Sequence, residues 1–123
     1  MSMKYCLNQK GSLPLTHNKK NKINLMSDFN EIINSEKPTL VDFYATWCGP
    51  CKTLTPILES AAKELSGEAK IVKVDIDKNM DAARKYNVRS VPTLILFKEG
   101  KEVWRQSGVS PQSLIVENVK KVI

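Results

Sequence analysis

The stretch Thr-Leu-Val-Asp-Phe-Tyr-Ala at residues 39–45 ends one residue before Trp-Cys-Gly-Pro-Cys-Lys at residues 47–52. The first is rich in β-branched and aromatic residues at odd and even positions alike, as in a strand buried on both faces of a sheet. The second contains Pro50, which lacks an amide hydrogen and presets its φ, so it suits the first turn of a helix and places the helix start at Cys48 or Gly49. A doubly covered central strand running into a helix demands a layered α/β architecture. A chain of 123 residues is one domain's worth and buries a core without needing disulfides or metal to hold it.

Residues 23–123 read as that domain. Ile23 and Leu25 alternate as in an edge strand. Ser27 or Asp28 offers a helix cap, Phe29, Ile32 and Ile33 share a face, and Pro38 stops the helix. After the cysteines, Leu54, Ile57, Leu58, Ala61, Ala62 and Leu65 recur at spacings of three and four, giving one long amphipathic helix closed by Gly67, with Pro56 inside it. Residues 70–76 read as a second buried strand and 79–86 as a short helix. Residues 93–97 and 103–106 form a hairpin turned at Lys98-Glu99-Gly100-Lys101. Ser110 caps a last helix with Pro111 at its first position. The order β, α, β, α, β, α, β, β, α implies a mixed sheet, with a parallel core and an antiparallel C-terminal hairpin, flanked by helices on both faces.

The net charge of +6 is concentrated at one end. Lys4, Lys10, Lys19, Lys20 and Lys22 precede the first acid, Asp28; without them 14 basic residues face 13 acidic ones. The domain is near neutral, which argues against a nucleic-acid partner. Residues 1–22 are expected to be a basic, flexible extension. They lack the apolar core of a secretory signal and, containing no Arg, make a poor mitochondrial transit peptide; no run of 18 apolar residues occurs anywhere, so neither export nor a membrane partner is expected. Three cysteines do not make a disulfide framework: once Cys48 and Cys51 pair, Cys6 has no partner within the chain, which fits a reducing compartment.

Cysteines at i and i+3 in a helix lie on one face at a separation that permits a disulfide. A structural staple over so short a ring yields only about 2 kcal/mol. A zinc site needs four ligands, and only Cys6 and His17 remain outside the pair. Haem attachment needs a His where Lys52 stands. A reversible redox switch uses the geometry best. Cys48, at the helix start, gains from unpaired amides and the dipole, worth up to ~2 kcal/mol, or roughly 1.5 pKa units. That brings a thiol toward neutrality, where it is ionised and still nucleophilic. Cys51, one turn deeper, is the expected resolving thiol and needs a base. Asp42, interrupting the central strand, is the candidate: a buried carboxyl has a raised pKa and exchanges protons near neutral pH. Lys73, in the neighbouring strand, would stabilise its charged form.

The run Val41-Asp42-Phe43-Tyr44-Ala45-Thr46-Trp47-Cys48-Gly49-Pro50-Cys51-Lys52 resembles the thioredoxin family, with separate support from Lys73-Val74-Asp75-Ile76-Asp77, Val91-Pro92-Thr93, Phe97-Lys98-Glu99-Gly100 and Gly108. A lowered thiol pKa at such a motif is already a property of that family, so it is not independent support. The resemblance implies a thioredoxin fold and a protein-disulfide reductase with Cys48 as nucleophile, Cys51 as resolver, and Asp42 and Lys73 beside them. It also implies a cis Val91–Pro92 bond and a client-docking surface made of Trp47, Gly49, Pro50, Val91, Pro92, Gly108 and Val109. No metal or cofactor is expected to be bound; electrons would come from NADPH through a flavin-dependent thioredoxin reductase. Other partners would be disulfide-containing client proteins, met by a cytoplasmic monomer. From the residues alone Pro92 needs only a strand-start explanation. Tyr44 stands where some relatives have Trp, and Ser107 where an apolar residue is common, which bears on substrate preference. Two other readings are an exported oxidase or isomerase, against which the Gly-Pro pair argues, and a docking subunit that works irrespective of redox state.

Overall fold

A computed structural model of the chain describes residues 3–4 and 25–123. The elements run β1 (Met3–Lys4), α1 (Leu25–Ile33), β2 (Thr39–Tyr44), α2 (Gly49–Leu65), β3 (Lys70–Asp75), α3 (Met80–Lys85), β4 (Thr93–Lys98), β5 (Lys101–Ser107) and α4 (Gln112–Lys120). They build a five-stranded sheet in the order β1-β3-β2-β4-β5, with β2 at its centre.

Only β2 and β3 are parallel, with Asp42 directly opposite Lys73. β4 lies on the other side of β2, antiparallel to it, and β5 extends that antiparallel half. The parallel core expected from alternating elements is therefore a single pair, because the chain returns through α3 to the far side of β2. The hairpin turn is tight: Glu99 and Gly100 both adopt positive φ (53° and 83°), as a two-residue connection between twisted strands requires.

Because side chains alternate along a strand, the sheet has two distinct faces. Leu40, Ile71, Leu94 and Leu96 pack against Leu54, Leu58 and Leu65 of α2 and Ile115 and Val119 of α4. On the other face, Val41, Phe43, Val72, Val74, Ile95 and Phe97 pack against Phe29 and Ile33 of α1 and Ala82 of α3. Both faces are thus covered by helices.

Three local expectations are corrected. Leu25 opens α1 instead of closing an edge strand; Ile23 lies outside the described residues. The outer edge of β3 is paired instead by Met3 and Lys4, opposite Val74 and Lys73. α1 therefore starts before Ser27 and ends at Ile33, short of Pro38. Its last turn is held from outside, where the Lys70 ammonium and the Thr39 hydroxyl donate to the Ile32 carbonyl at 3.2 and 3.3 Å. At α4 the N-cap is Pro111 and no side chain caps it; Ser110 is buried and its hydroxyl has no hydrogen-bond partner among the described residues. Ser110 precedes the cap by one residue, too early for its oxygen to meet the first-turn amides.

Candidate active site

β2 delivers the chain to the site. Beyond Tyr44, Ala45 is buried and its carbonyl accepts the Cys48 amide at 3.2 Å, closing a tight turn that leaves Thr46 and Trp47 outside. Cys48 keeps an extended backbone (φ −92°, ψ 117°) and is the N-cap of α2, with Gly49 and Pro50 as the first helical residues. Its sulfur accepts the Cys51 amide at 3.1 Å. A sulfur in this position meets one of the amides a helix leaves unpaired at its start, an arrangement that favours negative charge on Cys48. Cys48 and Cys51 form a disulfide with Cα atoms 5.4 Å apart.

The two cysteines are almost equally buried, at 4% and 3% exposure, so burial does not separate their roles. What separates them is position: Cys48 is the cap, and Cys51 lies one turn inside the helix. Around the pair are Ala45, Tyr44, Ile76 and Val91, which come from the end of β2, the residue after β3 and the loop before β4. Two neighbouring segments are tied to this cluster by hydrogen bonds. The Gly108 amide donates to the Pro92 carbonyl at 2.9 Å, across a Val91–Pro92 peptide that is cis. Gly108 has φ +86°, which a side chain there would resist. Trp47 is 68% exposed, and its indole N–H donates to the Asp77 carboxylate at 2.9 Å. The Asp77 amide in turn donates to the Asp75 carboxylate at 2.9 Å, so the turn after β3 orients the ring.

The expected docking residues fall into two groups. Trp47, Gly49, Pro50 and Val109 are exposed, whereas Val91 and Gly108 are half-buried and Pro92 is buried.

Asp42 lies below this rim. It shares strand parity with Leu40, so its side chain points to the α2 face, the side from which Cys51, Leu54 and Leu58 project inward. It is fully buried, and neither carboxylate oxygen has a hydrogen-bond partner among the described residues. Burial pushes its pKa up from 3.8 to about 7, and the charge of Lys73 moderates that rise. The Lys73 ammonium does not bond Asp42. It donates to the Thr55 hydroxyl at 2.8 Å and sits 4.9 Å from the centre of the Tyr44 ring. Burial, and then the charges of Asp75 and Asp42, raise the pKa of the Tyr44 hydroxyl.

Three participants escaped the sequence reading: Asp77, Thr55 and Ile76. Asp77 and Ile76 lie inside a stretch already singled out, but nothing local says which acid meets Trp47. Thr55 carried a signal, being four residues past Cys51 and so on the same face of the helix. Among the described residues no group of three or more His, Cys, Asp or Glu side chains is placed to hold a metal ion; Cys6 and His17 lie outside them.

Known proteins agree with this geometry. The family pattern described as Thioredoxin matches residues 20–121. A thioredoxin from Rickettsia conorii is 42% identical over 93 residues, 76% of this chain and 89% of its own length. A bifunctional thioredoxin reductase/thioredoxin from Mycobacterium leprae is 41% identical over 97 residues, 79% of this chain and 21% of that longer protein. The X-ray structure of Fasciola hepatica thioredoxin superposes with a TM-score of 0.69 at 40% identity, covering 80% of this chain and 91% of that one. With a redox-active cysteine pair at a helix cap on this fold, the chain belongs to the thioredoxin family, as a thiol–disulfide oxidoreductase working by dithiol–disulfide exchange.

Proposed function

We propose that the chain acts as a protein-disulfide reductase in which Cys48 attacks, Cys51 resolves and Asp42 moves the proton. The observation that carries the assignment is the Cys48 sulfur at the helix cap, accepting the Cys51 amide. In the dithiol form, the Cys48 thiolate attacks one sulfur of a client disulfide, forming a mixed disulfide and releasing one client thiolate. Cys51 then loses its proton to the Asp42 carboxylate and attacks the Cys48 sulfur. The second client thiolate leaves, and the Cys48–Cys51 disulfide is restored. Two electrons pass to the client, whose released thiolates take up protons.

Asp42 suits this role because a carboxyl with a pKa of about 7 exists in both forms at neutral pH. A client segment would lie extended across Trp47, Gly49, Pro50 and Val109 and meet the half-buried Val91 and Gly108 beside Pro92. Reduction of the disulfide by a flavin-dependent, NADPH-using reductase closes the cycle; the Mycobacterium leprae relative, named as both reductase and thioredoxin, supports that pairing. The chain itself binds no cofactor in this scheme and works as a cytoplasmic monomer, a placement supported by its use of only three cysteines.

The test is reduction of a disulfide-containing protein by the dithiol form, together with a redox equilibrium against glutathione. Cys48→Ser abolishes turnover, and Cys51→Ser traps the mixed disulfide on Cys48. A trap at Cys51 in the Cys48→Ser variant, or a potential more oxidising than the glutathione couple, overturns the assignment.

A further inference from the structure

The Lys73 ammonium has two candidate partners on the α2 face of the sheet, and it bonds the weaker. Asp42 is its direct neighbour across the β2–β3 ladder, is fully buried and has no hydrogen-bond partner among the described residues. The ammonium is instead engaged by the neutral Thr55 hydroxyl of α2 at 2.8 Å, over the face of the Tyr44 ring. We propose that Thr55 is a positioning residue: its hydroxyl holds the Lys73 ammonium away from Asp42, leaving that carboxylate without an ion-pair partner and free to exchange a proton with Cys51. This inference rests on the reading of Asp42 as the proton acceptor and adds what keeps it available.

The hydrogen bonds around Thr55 fit that task. A hydroxyl has one hydrogen and two lone pairs. Thr55 donates its hydrogen to the Cys51 carbonyl at 3.2 Å, which turns its lone pairs outward to receive Lys73. The same contact ties the ammonium to the backbone of the resolving cysteine. Other groups offer little competition. β4 opposes Asp42 with Leu94, and α4 brings Ile115, Val116 and Val119 to this core. The titratable groups interacting with the carboxylate are thus Lys73 from β3 and Tyr44 from β2, with Asp75 acting on Tyr44 from the end of β3, while Cys51 of α2 is held in the disulfide. Thr55 is half-buried on α2, so exchanging it for Val keeps its shape and removes the acceptor for Lys73 together with the donor to the Cys51 carbonyl.

In Thr55→Val the ammonium loses its hydrogen bond and is expected to turn to Asp42, its neighbour across the β2–β3 ladder. The measurement is the Asp42 carboxyl carbon by NMR, titrated in the disulfide form so that neither active-site thiol titrates. The midpoint is expected to fall from about 7 by ~1 pH unit or more, the size of effect an opposite charge at contact produces. Thr55→Ala, which also lacks the oxygen, moves it the same way, whereas Thr55→Ser restores the parent value. A midpoint that stays or rises in both Thr55→Val and Thr55→Ala overturns the proposal, as does failure of Thr55→Ser to restore it. A second readout separates this inference from the one beneath it. With a chromogenic aromatic thiol held as a mixed disulfide on Cys48, the pH profile of its release should follow the Asp42 midpoint in each variant. If the midpoint falls but release does not follow, the positioning by Thr55 stands and Asp42 is not the proton acceptor.

Discussion

On the sheet face covered by α1 and α3, Phe29 meets Phe43, Tyr86 and Phe97 with ring centroids 6.2, 5.5 and 5.9 Å away, in tilted or edge-on contacts. On the face covered by α2 and α4, an aliphatic core of similar depth contains a fully buried carboxyl with no hydrogen-bond partner among the described residues. The first face is arranged as packing theory would have it. The second carries a group that stability alone would discard. Both belong to one sheet, so the aromatic face can offset the cost of the carboxyl buried on the other. The contrast separates residues that hold the fold from residues that the fold holds in place.

The largest effect of a single substitution is expected on the aromatic side. Phe29→Ala removes the ring that links three others and should cost roughly 3–5 kcal/mol, read as a lower urea midpoint with unchanged slope. Asp42→Asn should act in the opposite direction. Its folded pKa is about 7, against 3.8 ordinarily, so the folded chain keeps a proton that the unfolded chain has released in between. Stability therefore falls as pH rises from about 4 through about 7 and then levels off. The full effect of that difference is about 4 kcal/mol. Since Asn must still bury an amide, a gain of about 2–3 kcal/mol at pH 8 and little change at pH 3 is expected. The same variant should resolve mixed disulfides more slowly, so urea melts and release kinetics together test whether stability is exchanged for function at this position. Ser110→Ala, which removes a buried hydroxyl with no partner among the described residues, should stabilise by about 1 kcal/mol with no change in turnover. A loss of stability there would mean that the hydroxyl is bonded after all.

Much of the site was legible because its determinants are short-range. Pro50 sets the helix start, the i, i+3 spacing sets the cysteine geometry, and an acid in a doubly buried strand marks itself as costly. The less legible parts depend on which segments meet. Leu25 has the alternation of a strand with Ile23, yet it belongs to a helix, and the β3 edge is filled by Met3 and Lys4 from more than twenty residues upstream. Ser110-Pro111 has the composition of a helix cap, but the chain path from Gly108 puts the cap one residue later. Lys73 opposite Asp42 suggests an ion pair, and the pairing register agrees. Only α2, packed across that ladder, supplies the hydroxyl that takes the ammonium instead.

The central strand, the helix that follows it and the cysteine pair at their junction are local properties of the chain, since they rest on periodicity, proline's fixed φ and spacing within one segment. The surroundings came from packing: Val91 and Ile76 against the disulfide, Asp77 on Trp47, and Thr55 on Lys73. Each of these joins segments brought together by packing, and a hydrogen bond of about 3 Å depends on the relative placement of whole elements, which no local pattern encodes.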